Sequence, residues 1–281
     1  GACKSVEPII AFCQRVLDDR AELFEDVWEG STNSCDPGVM SLDWQERALR
    51  SSNLYRWLVG QPPFILSTEA NPNLQECAVM MDAGGSLSHN PSETWPCYKE
   101  GGANAAGVSN LASVAAVEAV DLYMVDPGNE TTIGHRRWIL SDWIDTTGFG
   151  STNDSSCMKV VAGFGGFGAP NSWIAWPPPG YYPMELHYVA YKTIDDTGWT
   201  IQTNGISLKD ASAVVKENGV EKPVKSDVLL PNYGSASALK ITPQGWDMQA
   251  SAIYEVTVVG ASEPIAYSFE AVDCAELISQ Q

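Results

Sequence analysis

The chain contains three histidines, His89, His135 and His187. Two of them sit in short, motif-like contexts. His89 lies in Leu87-Ser-His89-Asn-Pro and His135 in Gly134-His135-Arg-Arg-Trp. A neutral imidazole offers one lone-pair nitrogen, and it changes charge close to neutral pH. Two of them can hold a divalent metal, with a carboxylate or water completing an open shell. A nearby carboxylate could orient an imidazole or act as a base toward a bound water. Ser109 suggests a different chemistry, because a serine, a histidine and Asp126 could form a Ser-His-Asp set. However, Gly107-Val-Ser109-Asn-Leu111 lacks the final glycine of a nucleophile elbow. Arg136 and Arg137 could grip an anionic ligand or pair with carboxylates. Trp173, Trp176, Tyr181 and Tyr182 surround a proline run. They would make either an exposed surface for a partner or a sugar, or a packed junction between two domains.

The bulk composition narrows the choice. The chain has 281 residues and 44% of them are apolar, enough for a sizeable core. With 35 acidic against 16 basic residues, the net charge is -19. Such a surface repels nucleic-acid phosphates and anionic lipids. No run of about 18 apolar residues exists, so no membrane span is expected. The seven cysteines form no CxxC pair, which argues against a zinc ribbon and for disulfides made in an oxidising compartment. The expected bridges are Cys77 with Cys97 and Cys13 with Cys35. Cys3, Cys157 and Cys274 then remain, one of them unpaired or bonded to another chain. The first residue is Gly1 rather than Met, so the expectation is a mature secreted product whose signal has been removed. Sequons at Asn129 and Asn153, with Asn33 before Ser-Cys as a third, are candidate glycosylation sites.

The elements that must position these groups are readable as patterns. Apolar residues recur at helical spacing from 5 to 28. Ser41 caps a second helix running to about Val59, where Gly60 and two prolines stop it. Asn71-Pro72 opens a third helix that ends at Gly84-Gly85. Ser113 to Val125 reads as a helix apolar almost all round and therefore buried. Ile133 to Leu140 follows and carries His135. Strand-like pieces at 158–164, 173–176 and 184–191 come next. After Trp199, short apolar runs punctuated by turns every eight to twelve positions mark an all-β sandwich. The expected division is a helical lead over 1–40, a mixed domain over 41–192 and a β-sandwich over 193–281.

Several of these segments, in order, resemble one family. Asn53-Leu-Tyr-Arg56 with Gly60 is similar to an opening N-x-x-R…G helix, and Gln75 to Met81 to an L-x-x-x-A helix. Leu87-Ser-His89 resembles LSH, and Gly107-Val-Ser-Asn-Leu111 resembles GENL. Asp126 stands where W-x-x-E is usual. Gly134-His-Arg136 resembles GHR, and Gly148-Phe-Gly150 a GxG strand. The family is the CAP superfamily of cysteine-rich secretory, antigen 5 and pathogenesis-related proteins, especially its bacterial-type members. The resemblance implies an α-β-α sandwich, so the fold class is α+β with an appended immunoglobulin-like sandwich. It also implies a cleft with two histidines and two acidic residues. Those positions fall on His89, Ser109, Asp126 and His135. Ser109 replaces a glutamate, and Glu118 or Asp121 could substitute for it. The family's reported zinc binding implies a weak metal site at His89 and His135. The expected role is that of a secreted, non-enzymatic binding or structural component with an extracellular protein partner. A secreted hydrolase (metal-assisted or serine-based) and a carrier of a small apolar lipid or sterol are the alternatives.

Overall fold

The structure is a computed structural model that describes residues 7–20, 27–161, 173–189 and 191–281. Its first helix, α1 (Glu7–Arg20), is shorter than the 5–28 pattern, because residues 27–30 are not helical. The rest of that stretch, Cys3 and the end of the 158–164 segment lie outside the described residues. The other helices are α2 (Leu42–Leu58), α3 (Asn71–Gly84), α4 (Glu100–Ala106), α5 (Ala116–Val125), α6 (Gly134–Ile139), α7 (Ile194–Thr197) and α8 (Cys274–Ser279). The signals that start and stop them are local. Ser41 accepts the Trp44 backbone N–H at the start of α2. Gly85 ends α3 with φ 59°, a left-handed conformation that glycine adopts without strain.

The N-terminal half is layered. Strands β2 (Ser109–Ala112), β5 (Ser156–Lys159) and β4 (Phe149–Ser151) form an antiparallel sheet in that order. Alternate residues face opposite sides, as a pleated strand requires. Phe149 and Met158 pack into the large core with α5, while Leu111 and Cys157 pack with Leu74 and Cys77 of α3. Helices thus cover both faces of the sheet. The approach of α3 is close: a Cβ on Gly150 would lie 2.1 Å from the Leu74 carbonyl, so only glycine fits there. A short parallel pair, β1 (Ile65–Leu66) with β3 (Thr146–Thr147), forms a separate two-stranded sheet.

Two further sheets form the β-sandwich. One has the order β13 (Val224–Val228), β14 (Ser237–Pro243), β10 (Trp199–Thr203), β6 (Trp173–Trp176). The other has the order β12 (Val220–Lys222), β11 (Ser212–Glu217), β15 (Ile253–Val259), β16 (Ile265–Val272), β7 (Gly180–Pro183). They share one core, in which the Trp199 ring lies 5.3 Å from Phe269 and 5.7 Å from Tyr254. β6 and β7 precede residue 193 yet pair with strands beyond it. A small hairpin, β8 (Tyr188–Val189) with β9 (Lys192–Thr193), links the halves.

The aromatic cluster closes the junction. Trp176 and Tyr182 are fully buried, and Trp176 packs 5.3 Å from Tyr55 of α2. The expected disulfides are corrected. The bridges are Cys13–Cys274, Cys35–Cys97 and Cys77–Cys157. Nearness in sequence misled, because tertiary packing sets the pairs: α3 lies on the sheet that carries Cys157, and α8 packs against α1. Among the described residues no helix is long and apolar enough to cross a membrane.

Candidate functional site

The site begins at the end of α5. Asp126 is the C-cap residue and adopts φ 58°, a left-handed conformation that Asp tolerates better than most residues. The chain then turns through 127–133 into α6. Ile133 precedes that helix at φ 43° with no exposed surface. A β-branched residue rarely takes this conformation, so its surroundings must hold it. It packs against Leu229 and Ala238 of the β-sandwich.

This turn brings Asp126 against His135. The Asp126 side chain is fully buried, and both oxygens are in use. Oδ2 accepts the backbone N–H of His135 at 3.0 Å and that of Arg136 at 3.4 Å. Oδ1 accepts from Asn129 Nδ2 at 2.6 Å and lies 2.9 Å from His135 Nδ1. A carboxylate only accepts, so His135 Nδ1 donates and the neutral ring keeps its lone pair on Nε2. His89 follows the same logic from the loop after α3. Its Nδ1 lies 2.8 Å from the Ala106 carbonyl, which again leaves Nε2 with the lone pair.

Both imidazoles line two adjoining cavities, of about 260 Å³ and about 430 Å³. Ser109 lines the smaller one and Asp126 the larger. Ser109 Oγ donates to the Ala105 carbonyl at 2.7 Å, and among the described residues no Ser109–His bond forms. The Ser-His-Asp set is therefore not assembled. Asp121 does not replace the missing glutamate: it accepts from the Tyr55 hydroxyl at 2.6 Å and pairs with Arg20 at 3.1 Å. Glu118 lines neither cavity.

Arg136 and Arg137 do something the sequence did not suggest. Both are fully buried and, among the described residues, hydrogen-bond to carbonyls and hydroxyls rather than to carboxylates. Arg136 reaches the Met124, Val125 and Gly198 carbonyls, while Arg137 reaches those of Thr132, Leu230 and Ser235. His187 lies apart, paired with Asp195 at 3.2 Å inside the core. Asn153 is exposed, but the Nδ2 of Asn129, where a glycan would attach, is committed to Asp126.

Sequence reasoning missed Asn110, Asn232 and Tyr233, all of which line the smaller cavity. It read Asn129 only as a sequon. If Asp126 sets the tautomer, Asp126→Asn is expected to leave the fold intact and give His135 a mixed tautomer population. Nitrogen-15 NMR of the imidazole would read this. An unchanged Nε2 signal in the variant would show that Asp126 does not orient the ring.

Residues 49–164 match the family model described as CAP, Cysteine-rich secretory protein family. No curated protein and no solved structure matches the chain. His89, Ser109, Asp126 and His135 fall inside the matched stretch, whereas Asn232 and Tyr233 fall outside it. The layered sheet, the ordered motifs and the paired imidazoles agree with that match: the chain carries a CAP domain over residues 49–164.

Proposed function

We propose that the cleft is a binding site in a secreted, non-enzymatic protein. The observation that carries this reading is the fate of the four imidazole nitrogens. Both Nδ1 atoms are spent on Ala106 and Asp126, so both Nε2 atoms remain for a guest. The groups that hydrolysis would need are otherwise committed. Ser109 points its proton at a carbonyl, and Asp126 has no free oxygen to activate water. The three disulfides support an oxidising, extracellular setting.

The same donor set fits a divalent metal only loosely. Among the described residues no group of three or more His, Cys, Asp or Glu side chains could hold one. His89 and His135 would supply two nitrogens, with water in the remaining positions and Asp126 behind His135 as its orienting carboxylate. Zinc titration by calorimetry tests this. Binding in the micromolar to submillimolar range is expected in the full chain, and none in the His89→Ala, His135→Ala double variant. Equal binding in both would place the metal elsewhere, and no binding in either would remove the metal from the proposal.

The strand order also supports reading the β region as immunoglobulin-like. Taking β6, β10, β14 and β13 as A, B, E and D gives one sheet. Taking β11, β15 and β16 as C, F and G gives the other. Such modules commonly dock partners or act as spacers, which suits an extracellular binding protein; this is an argument from analogy.

A further inference from the structure

The smaller cavity has two walls of different origin. One is the CAP wall, with His89, Ser109, Asn110 and His135. The other is the loop between β13 and β14, which supplies Asn232 and Tyr233 from outside the CAP match. This loop is built into place. Arg137 donates to the carbonyls of Leu230 at 2.7 Å and Ser235 at 3.0 Å, and its guanidinium sits 6.0 Å from the Tyr233 ring. Gly234 takes φ 68°, and any Cβ there would lie 2.5 Å from the Arg137 carbonyl oxygen. In return the loop holds the histidine segment, because Leu230 N–H donates to the Thr131 carbonyl at 2.9 Å. Gly134 lets the Tyr233 ring come close: its absent Cβ would stand 3.0 Å from that ring. Tyr233 nevertheless keeps 40% of its surface exposed.

The chemistry of the lining selects a guest. In a chain of net charge -19, no Asp, Glu, Lys or Arg among the described residues lines this cavity. Its polar groups are amides, hydroxyls and the two imidazoles, with a Tyr ring and the Trp138 indole beside them. Amides and hydroxyls both donate and accept, as sugar hydroxyls do, and aromatic faces cover the apolar C–H faces of a pyranose. An anionic guest would meet no fixed positive charge here. We infer that the cleft is a composite site, completed by Asn232 and Tyr233 of the β-sandwich, that binds a neutral saccharide chain.

This inference rests on reading the cleft as a binding site, and its test separates the two. The full chain is titrated with neutral hexasaccharides (cellohexaose, chitohexaose, maltohexaose and xylohexaose), followed by tryptophan fluorescence and the imidazole NMR signals. At least one is expected to bind and to move the His135 signal. Tyr233→Ala should weaken binding about tenfold, while Tyr233→Phe keeps it. Tyr233→Leu preserves apolar packing on Gly134 without an aromatic face, so it should behave like Tyr233→Ala; circular dichroism checks each fold. Binding by none of the panel, or equal binding by the wild type and Tyr233→Leu, overturns the inference. If zinc still binds the histidine pair in that case, the cleft reading stands alone; if zinc also fails, both readings fall.

Discussion

Replacing Arg136 with methionine is expected to lower the unfolding free energy by about 3–5 kcal/mol, with a fall of roughly 10 °C in midpoint temperature. The reason is where its guanidinium sits. An α-helix ends with carbonyls that have no partner of their own. Arg136 satisfies two of these at the end of α5, Met124 at 2.6 Å and Val125 at 3.2 Å. A cation there also complements the helix dipole. The same fork then crosses into the β-sandwich region, reaching the Gly198 carbonyl at 2.6 Å and the Thr197 and Thr200 hydroxyls. Methionine fills much of the volume but leaves three buried carbonyls unpaired. Lysine keeps the charge but cannot copy the planar fork, so Arg136→Lys should recover only part of the loss. Urea unfolding of the three proteins measures this. A loss under about 1 kcal/mol in the methionine variant would mean that water or neighbouring groups take over those carbonyls.

This arginine also marks where the sequence stopped being informative. Local signals carried the N-terminal half well. Pro72 and Gly85 bounded α3, Ser41 capped α2, and the all-round apolar pattern of α5 matched its burial. α4 gave no helix signal, because Gly101 and Gly102 lower the helix propensity of so short a segment. The structure needs glycine at 102, where a Cβ would lie 2.9 Å from Glu76 Cβ and 3.0 Å from the Cys77 backbone nitrogen on the neighbouring helix. His89, Asp126 and His135 were legible because each sits in a short motif whose spacing is set by one turn or helix end. Asn232 and Tyr233 were not, since only sheet packing brings a loop near residue 230 against residue 135. Charge patterning likewise misdirected the reading of Arg136 and Arg137. Their partners are backbone carbonyls and the hydroxyls of Thr197, Thr200 and Ser235, which charge patterning does not point to. The disulfides failed for the same physical reason: cysteine spacing does not encode which surfaces will meet.

The bridge between Cys13 and Cys274 is expected to contribute more stability than either of the others. It joins α1 to the first residue of α8 across a sequence separation of 261. Closing a loop that long removes about 5.6 kcal/mol of denatured-state entropy on a chain-statistics model, with measured values usually lower. Cys35–Cys97 spans 62 residues and Cys77–Cys157 spans 80, for which the same model gives about 4 kcal/mol. Both cysteines of the long bridge are fully buried, so their loss also removes packing where the two helices meet. Cys13→Ala with Cys274→Ala should therefore lose about 3–5 kcal/mol in urea unfolding, more than Cys35→Ala with Cys97→Ala. The cleft should be spared, because no residue of α1 or α8 lines either cavity, and zinc titration of the variant should match the wild type. If the stability order came out reversed, strain or residual structure in the unfolded chain would outweigh loop length. If zinc binding fell in this variant while the other two bridges stayed intact, the clasp joining the two ends of the fold would reach as far as the histidine pair. The separation of cleft from clasp drawn above would then be wrong.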